Sequence, residues 1–119
     1  MRFVGILIGS DQPERLAAYY TKLLGEPGWN EGGYVGWLIG EGGVTVGPHS
    51  EVHGQNGEPG RIIWNIETED VKAEFALFRD AGATVVREPY SFEGAPEAWV
   101  ATFADPDGNY FQLVSPMQM

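Results

Sequence analysis

Residues 3–25 read FVGILIGSDQPERLAAYYTKLLG, and residues 61–82 read RIIWNIETEDVKAEFALFRDAG. Each begins with a short β-rich run, Phe3 to Ile8 and Arg61 to Ile66, and continues into a stretch of helical periodicity that a glycine closes. In the first, Leu16, Tyr19, Tyr20, Leu23 and Leu24 fall at i, i+3, i+4, i+7 and i+8, which is one apolar stripe. Ser10 or Asp11 can accept a bond from a free N–H at the helix start, and Pro13 and Glu14 suit its first turn. Gly25 can take the left-handed conformation that ends a helix, and Pro27 prevents continuation. In the second stretch the helix starts near Thr68 or Asp70, carries the narrower stripe Val71, Phe75 and Phe78, and ends at Gly82. The strands start 58 residues apart, at 3 and 61, and the closing glycines lie 57 apart, at 25 and 82.

More strands follow each helix. Tyr34 to Ile39 and Val44 to Val46 are short runs bounded by glycines, and Thr84 to Val86 is shorter still. Ala98 to Phe103 and Tyr110 to Val114 flank the turn-rich ADPDGN of residues 104–109, which predicts a hairpin. The segment 47–60 holds Pro48, Gly54, Gly57 and Pro59 and reads as a linker. The chain is therefore expected to be α+β: a βαβββ module over about 1–46, a linker over 47–60 and a second module over 61–119. Neither module has strands enough to cover both faces alone, so the two are expected to form a single domain, 1–119.

The 119 residues are 43% apolar, which supports a folded core, and no cysteine is present. A disulfide framework, a thiolate-held metal and a thiol nucleophile are thereby excluded. Seven basic against seventeen acidic residues give a net charge of −10. That disfavours nucleic acid and anionic membrane as partners and mildly favours a cationic one. The N-terminal apolar run is too short to span a bilayer and no small-residue cleavage site follows it, so the expected location is cytoplasmic. Ser10, Ser50, Ser91 and Ser115 lack the context of a nucleophile elbow, and the glycine-rich stretches lack the lysine of a phosphate loop.

SDQPERLAAYYTKLLGEP (10–27), NIETEDVKAEFALFRDAGATVV (65–86) and ATFADPDGNYFQLVSP (101–116), in that order, resemble the vicinal oxygen chelate superfamily, which includes glyoxalase I, bleomycin-resistance proteins and extradiol dioxygenases. The resemblance covers essentially the whole chain. It implies two βαβββ modules forming a cupped mixed sheet, a homodimer, and a ligand site in the concavity. In metal-using members the ligand positions correspond here to Val4 (Phe3 if the register slips by one), Arg61, Gln112 and a residue near Thr45 or Gly47. An aliphatic side chain donates no lone pair, and a guanidinium repels a cation, so no metal and no other cofactor is expected.

Alternation assigns faces to the expected strands. With Arg61 directed into the cup, Ile63 and Asn65 follow, while Ile62, Trp64 and Ile66 face the helices; with Gln112 go Tyr110 and Val114. Arg61, Asn65, Tyr110 and Gln112 would then be the polar groups of an apolar pocket. The alternative for Arg61 is a strand-leading residue that reaches back to water. Trp37 and Trp99 either line the cup as aromatic walls or pack in the core, and Trp64 belongs to the core. His49 follows the first module's last strand and is placed at the cup's rim, while His53 and Glu51 read as solvated loop residues. The function expected is metal-free binding of a small molecule, a planar or cationic compound such as an antibiotic. The alternatives are a metal-dependent lyase, isomerase or dioxygenase of the same superfamily, and a non-catalytic dimeric paralogue with a regulatory or interaction role.

Overall fold

The computed structural model describes residues 1–116; residues 117–119 of the expected second module lie outside the described residues. The chain divides into two compact units, residues 1–55 and the part from residue 56 onward. Each runs strand, helix, three strands. The first comprises Gly5–Ser10 (β1), Pro13–Leu24 (α1), Trp29–Glu31 (β2), Tyr34–Ile39 (β3) and Gly42–Pro48 (β4). The second comprises Trp64–Glu67 (β5), Val71–Asp80 (α2), Thr84–Phe92 (β6), Ala95–Ala104 (β7) and Tyr110–Val114 (β8). Both sheets are four-stranded and mixed, ordered β1-β4-β3-β2 and β5-β8-β7-β6. In each, the first strand is parallel to the last and the other pairs are antiparallel.

In the first unit the apolar stripe of α1 buries Leu16 and Tyr20. The sheet face it covers carries the cross-strand pairs Trp37–Val44 and Val35–Val46. Tyr20 and Trp37 meet at 6.2 Å between ring centroids. Gly25 ends α1 at φ 89°, and its N–H donates to the Thr21 carbonyl at 3.0 Å. The helix start differs from expectation. Gln12 occupies the cap position without a side-chain capping bond. Ser10 accepts from the Gln12 N–H at 2.9 Å, and Asp11 accepts from the Gly54 N–H at 2.8 Å instead, which ties down the segment after β4. Pro13 leaves one fewer N–H for a cap to satisfy.

In the second unit α2 buries Val71, Phe75 and Phe78, with the two phenylalanine rings against Phe103 and Phe111. Phe75–Phe103 and Phe103–Phe111 stack at 5.3 and 5.5 Å. Truncating one such ring costs about 3–5 kcal/mol. Asp70 caps this helix, accepting from the Ala73 N–H at 3.1 Å. The ADPDGN turn is organised by Asp105, whose Oδ1 accepts from the Asp107 and Asn109 N–H groups at 2.9 and 3.0 Å.

Several strand expectations are corrected, among them Val44 to Val46, which extends to Gly42–Pro48, and Ala98 to Phe103, which extends to Ala95–Ala104. The strand expected from Arg61 begins at Trp64, because Pro59–Arg61 winds into one 3-10 turn closed by the Arg61 N–H on the Glu58 carbonyl at 3.0 Å. Ile62, expected to face the helix, is consequently exposed. The short run at Thr84 extends to Phe92, and Trp29–Glu31 is an additional edge strand. The run expected from Phe3 starts at Gly5, leaving Phe3 and Val4 exposed ahead of it. Among the described residues no helix is long and apolar enough to cross a membrane.

Candidate functional site

On the second sheet α2 takes one face, and the unit has no other helix for the opposite one, termed the open face. Register fixes which residues share the open face. Asn65 lies beside Gln112, Gln112 opposite Thr102, and Thr102 opposite Arg87. These four residues form a polar row running across all four strands. The Gln112 amide donates to Thr102 Oγ1 at 3.0 Å, which orients both groups. Thr102 is only 6% exposed. On one side of the row Val114 pairs with Val100 and Val100 with Tyr90; on the other, Tyr110 pairs with Ala104. At the far edge the Arg87 guanidinium sits 3.6 Å from the centroid of the Tyr90 ring. The face therefore carries a central line of amide, hydroxyl and guanidinium flanked by apolar groups, with the Glu67 carboxylate beside Val114 at its β5 edge, the makeup of a site that orients a small molecule.

The residues singled out in the sequence separate under this geometry. Asn65, Tyr110 and Gln112 stand together on the open face. Arg61 does not join them on the strand. It sits in the 3-10 turn with its side chain 71% exposed and paired with Glu58. That turn, with Asn56, Gly57 and Ile62, borders a separate hollow of about 280 Å³. Asn56 anchors the segment to the hairpin turn, through its N–H on the Asp107 carbonyl at 2.8 Å and its side chain on Asn109 at 3.0 Å.

The aromatic walls are corrected. Trp37 is 2% exposed on the helix side of its sheet, where its indole N–H donates to the Gly25 carbonyl at 2.8 Å. Trp99 pairs with Ser91 on the helix side of the second sheet, with the Lys72 ammonium from α2 3.8 Å from its ring centroid. Both follow the packing alternative. His49 is exposed in the turn after β4, its Nδ1 accepting from the Glu51 N–H at 3.2 Å.

Sequence reasoning missed Thr102, Arg87 and Tyr90. Thr102 was within reach, since pairing back from the ADPDGN turn places it opposite Gln112. Trp29 dominates the open face of the first sheet. Its indole fills the space a side chain at Gly36 would need, with a Cβ there only 2.0 Å from the ring, and it extends toward Gly43. Tyr34 covers Gly47 in the same way. The glycines clear a lane on which two rings lie along the sheet.

The metal positions implied by the resemblance hold an exposed Val4, a Glu58-paired Arg61, a Gln112 engaged with Thr102, and Thr45 or Gly47. Among the described residues no three of His, Asp and Glu converge as a divalent ion requires. The residues present do not fit a metal centre.

The family model for the glyoxalase-like domain matches residues 5–114. No curated protein matches the sequence significantly. Among solved structures, a protein described only as a conserved domain protein superposes with a TM-score of 0.80 at 19% identity, covering 98% of this chain and 100% of its own. TioX from Micromonospora sp. ML1 gives 0.77 at 14% identity, covering 98% and 100%. A member of the glyoxalase/bleomycin resistance protein/dioxygenase superfamily from Sphaerobacter thermophilus gives 0.74 at 20% identity, covering 98% of each chain. At these identities the likeness shows the fold.

Proposed function

The chain belongs to the glyoxalase-like domain family, and from that premise we propose that it binds a planar organic small molecule on the open face of its second sheet, without a resident metal. The observation that carries the reading is the Asn65–Gln112–Thr102–Arg87 row set between Tyr90 and Tyr110. Amide and hydroxyl groups so placed hold a ligand's polar atoms, and the flanking side chains cover its ring. The positions that correspond to the family's metal ligands supply at most two weak neutral oxygens, from Gln112 and Thr45, beside the apolar Val4 and the cationic Arg61, which does not hold a divalent ion. A binder of this kind sequesters its ligand rather than transforming it. We further propose a cytoplasmic homodimer, supported by the exposed Phe3, Val4 and Leu7 at and before the edge strand β1.

The test is to titrate the protein with planar aromatic compounds of each charge type while following the side-chain amide resonances of Asn65 and Gln112. Elemental analysis is run on the same preparation. Saturable shifts of those amides, with transition metal far below one per chain, are expected. One zinc, iron, nickel or manganese ion per chain, removed by chelator with loss of a measurable turnover, would reinstate a metal-dependent enzyme.

A further inference from the structure

The polar row owes its cationic end to two insertions in β6. Val85 lies opposite Phe103 and Arg87 opposite Thr102, so Val86 is an extra residue between consecutive partners. Tyr90 then lies opposite Val100, three positions on against two, so a second extra residue falls within 88–89. Successive side chains of a strand point to opposite faces, so each inserted residue reverses the face of every later one. In an unbroken ladder from Val85, residue 87 would oppose Ala101 and point under α2 into the phenylalanine cluster. The first bulge turns it to the open face. An unbroken ladder from Arg87 would set Tyr90 opposite Trp99, again on the helix side. The second bulge brings Tyr90 onto the open face beside the guanidinium.

The pair so delivered has a defined chemistry. The Tyr90 ring holds the guanidinium at 3.6 Å and limits its rotamers. Arg61 and Arg79 are paired with Glu58 and Asp80, whereas the contact the structure gives Arg87 is a ring, and among the described residues no carboxylate pairs with its donor fork. A guanidinium presents parallel N–H groups that match a carboxylate in two bonds. The protein's net charge of −10 repels anions from afar. Their recognition therefore has to be local, within the roughly 8 Å over which charge acts at physiological salt.

We propose that Arg87, held by Tyr90, is the anion-recognising group of the open face, and that the ligand is a planar aromatic carboxylate. Its carboxylate meets Arg87, its ring lies against the half-buried Tyr90 and Val114, and Gln112 and Asn65 serve any polar group at the far end. Four strands at a spacing near 4.8 Å put that end about 14 Å from Arg87, the reach of a substituted two-ring compound. The proposal rests on the open face being the ligand site, so the experiment separates the two.

2-Naphthoate, 2-naphthamide and 2-naphthylmethylammonium are titrated into the wild-type protein and into Arg87→Gln, Arg87→Lys and Tyr90→Leu, by calorimetry and by amide NMR. Naphthoate is expected to bind wild type at least about tenfold tighter than the amide. Arg87→Gln is expected to weaken naphthoate about tenfold to a hundredfold and the amide by less than about threefold. Arg87→Lys recovers part of that loss, since an ammonium keeps the charge without the fork, and Tyr90→Leu weakens naphthoate about threefold. Naphthoate no tighter than the amide, with the Gln112 resonance still shifting, overturns the anion role and leaves the open-face reading standing. Equal loss of all three compounds in a folded Arg87→Gln overturns it too. No shift at Asn65 or Gln112 with any compound removes both. Should Arg87→Gln not fold, the ranking of the three compounds on wild type and Arg87→Lys decides.

Discussion

Trp29 and Trp37 show how little room decides an aromatic's fate. At residue 36 the absence of a Cβ lets the Trp29 indole lie across β3 toward Gly43. Gly36→Ala places a methyl 2.0 Å from ring atoms, so the indole must swing off the sheet. The expected result is a red shift and stronger acrylamide quenching of Trp29 emission, with about 1–2 kcal/mol lost on urea unfolding. An unshifted spectrum would mean that the ring does not rest on the glycine lane. Trp37 is the contrasting case, its indole N–H spent on the carbonyl that ends α1. Both tryptophans were visible in the sequence, but their faces were not. A strand position has a definite face only once register is known, and the strand that pairs Trp29 with Gly36 is three residues long.

At the scale of elements, the helices and the hairpin were legible because their causes are local. A stripe at helical spacing, a glycine at positive φ and a turn built around Asp105 need no distant partner. Asp70 belongs with them: Asp70→Ala removes the acceptor for the Ala73 N–H and should lower unfolding free energy by about 1 kcal/mol in urea titration. Asp11→Ala should leave α1 intact and instead raise amide exchange at Gly54, whose N–H it holds; unaltered exchange there would contradict that tie. The edge strands were illegible for the opposite reason. β6 reads TVVREPYSF, with a proline and the charged Arg87 and Glu88 where alternation should be clean. Pro89 is tolerated since it falls in a bulge of an edge strand, where one ladder bond is already lost. The same bulges hid Arg87 and Tyr90 from any argument by alternation. Arg61 lies off the expected strand because proline at 59 starts a 3-10 turn where β-rich composition suggested extended chain.

For the molecule as a whole, the proposed homodimer is the property with the simplest readout. Light scattering at high micromolar concentration is expected to give twice the chain mass, and a monomer there would oppose it. Replacing exposed Leu7 by Lys should shift the equilibrium toward monomer if the β1 edge takes part, since a charge at an interface core is costly. The order of strands in each unit has another outcome, in the making of the protein. β4 pairs with both β1 and β3, and β8 with both β5 and β7, although each is the last strand of its unit to be synthesised. A nascent chain that has reached Ile39 possesses a helix and a hairpin but no sheet for them to share. The same holds for the second unit until Tyr110–Val114 has left the ribosome. Each half is thus completed by insertion of its final strand into the middle, so a chain halted short of that strand offers chaperones and proteases an open gap with two unpaired strand edges.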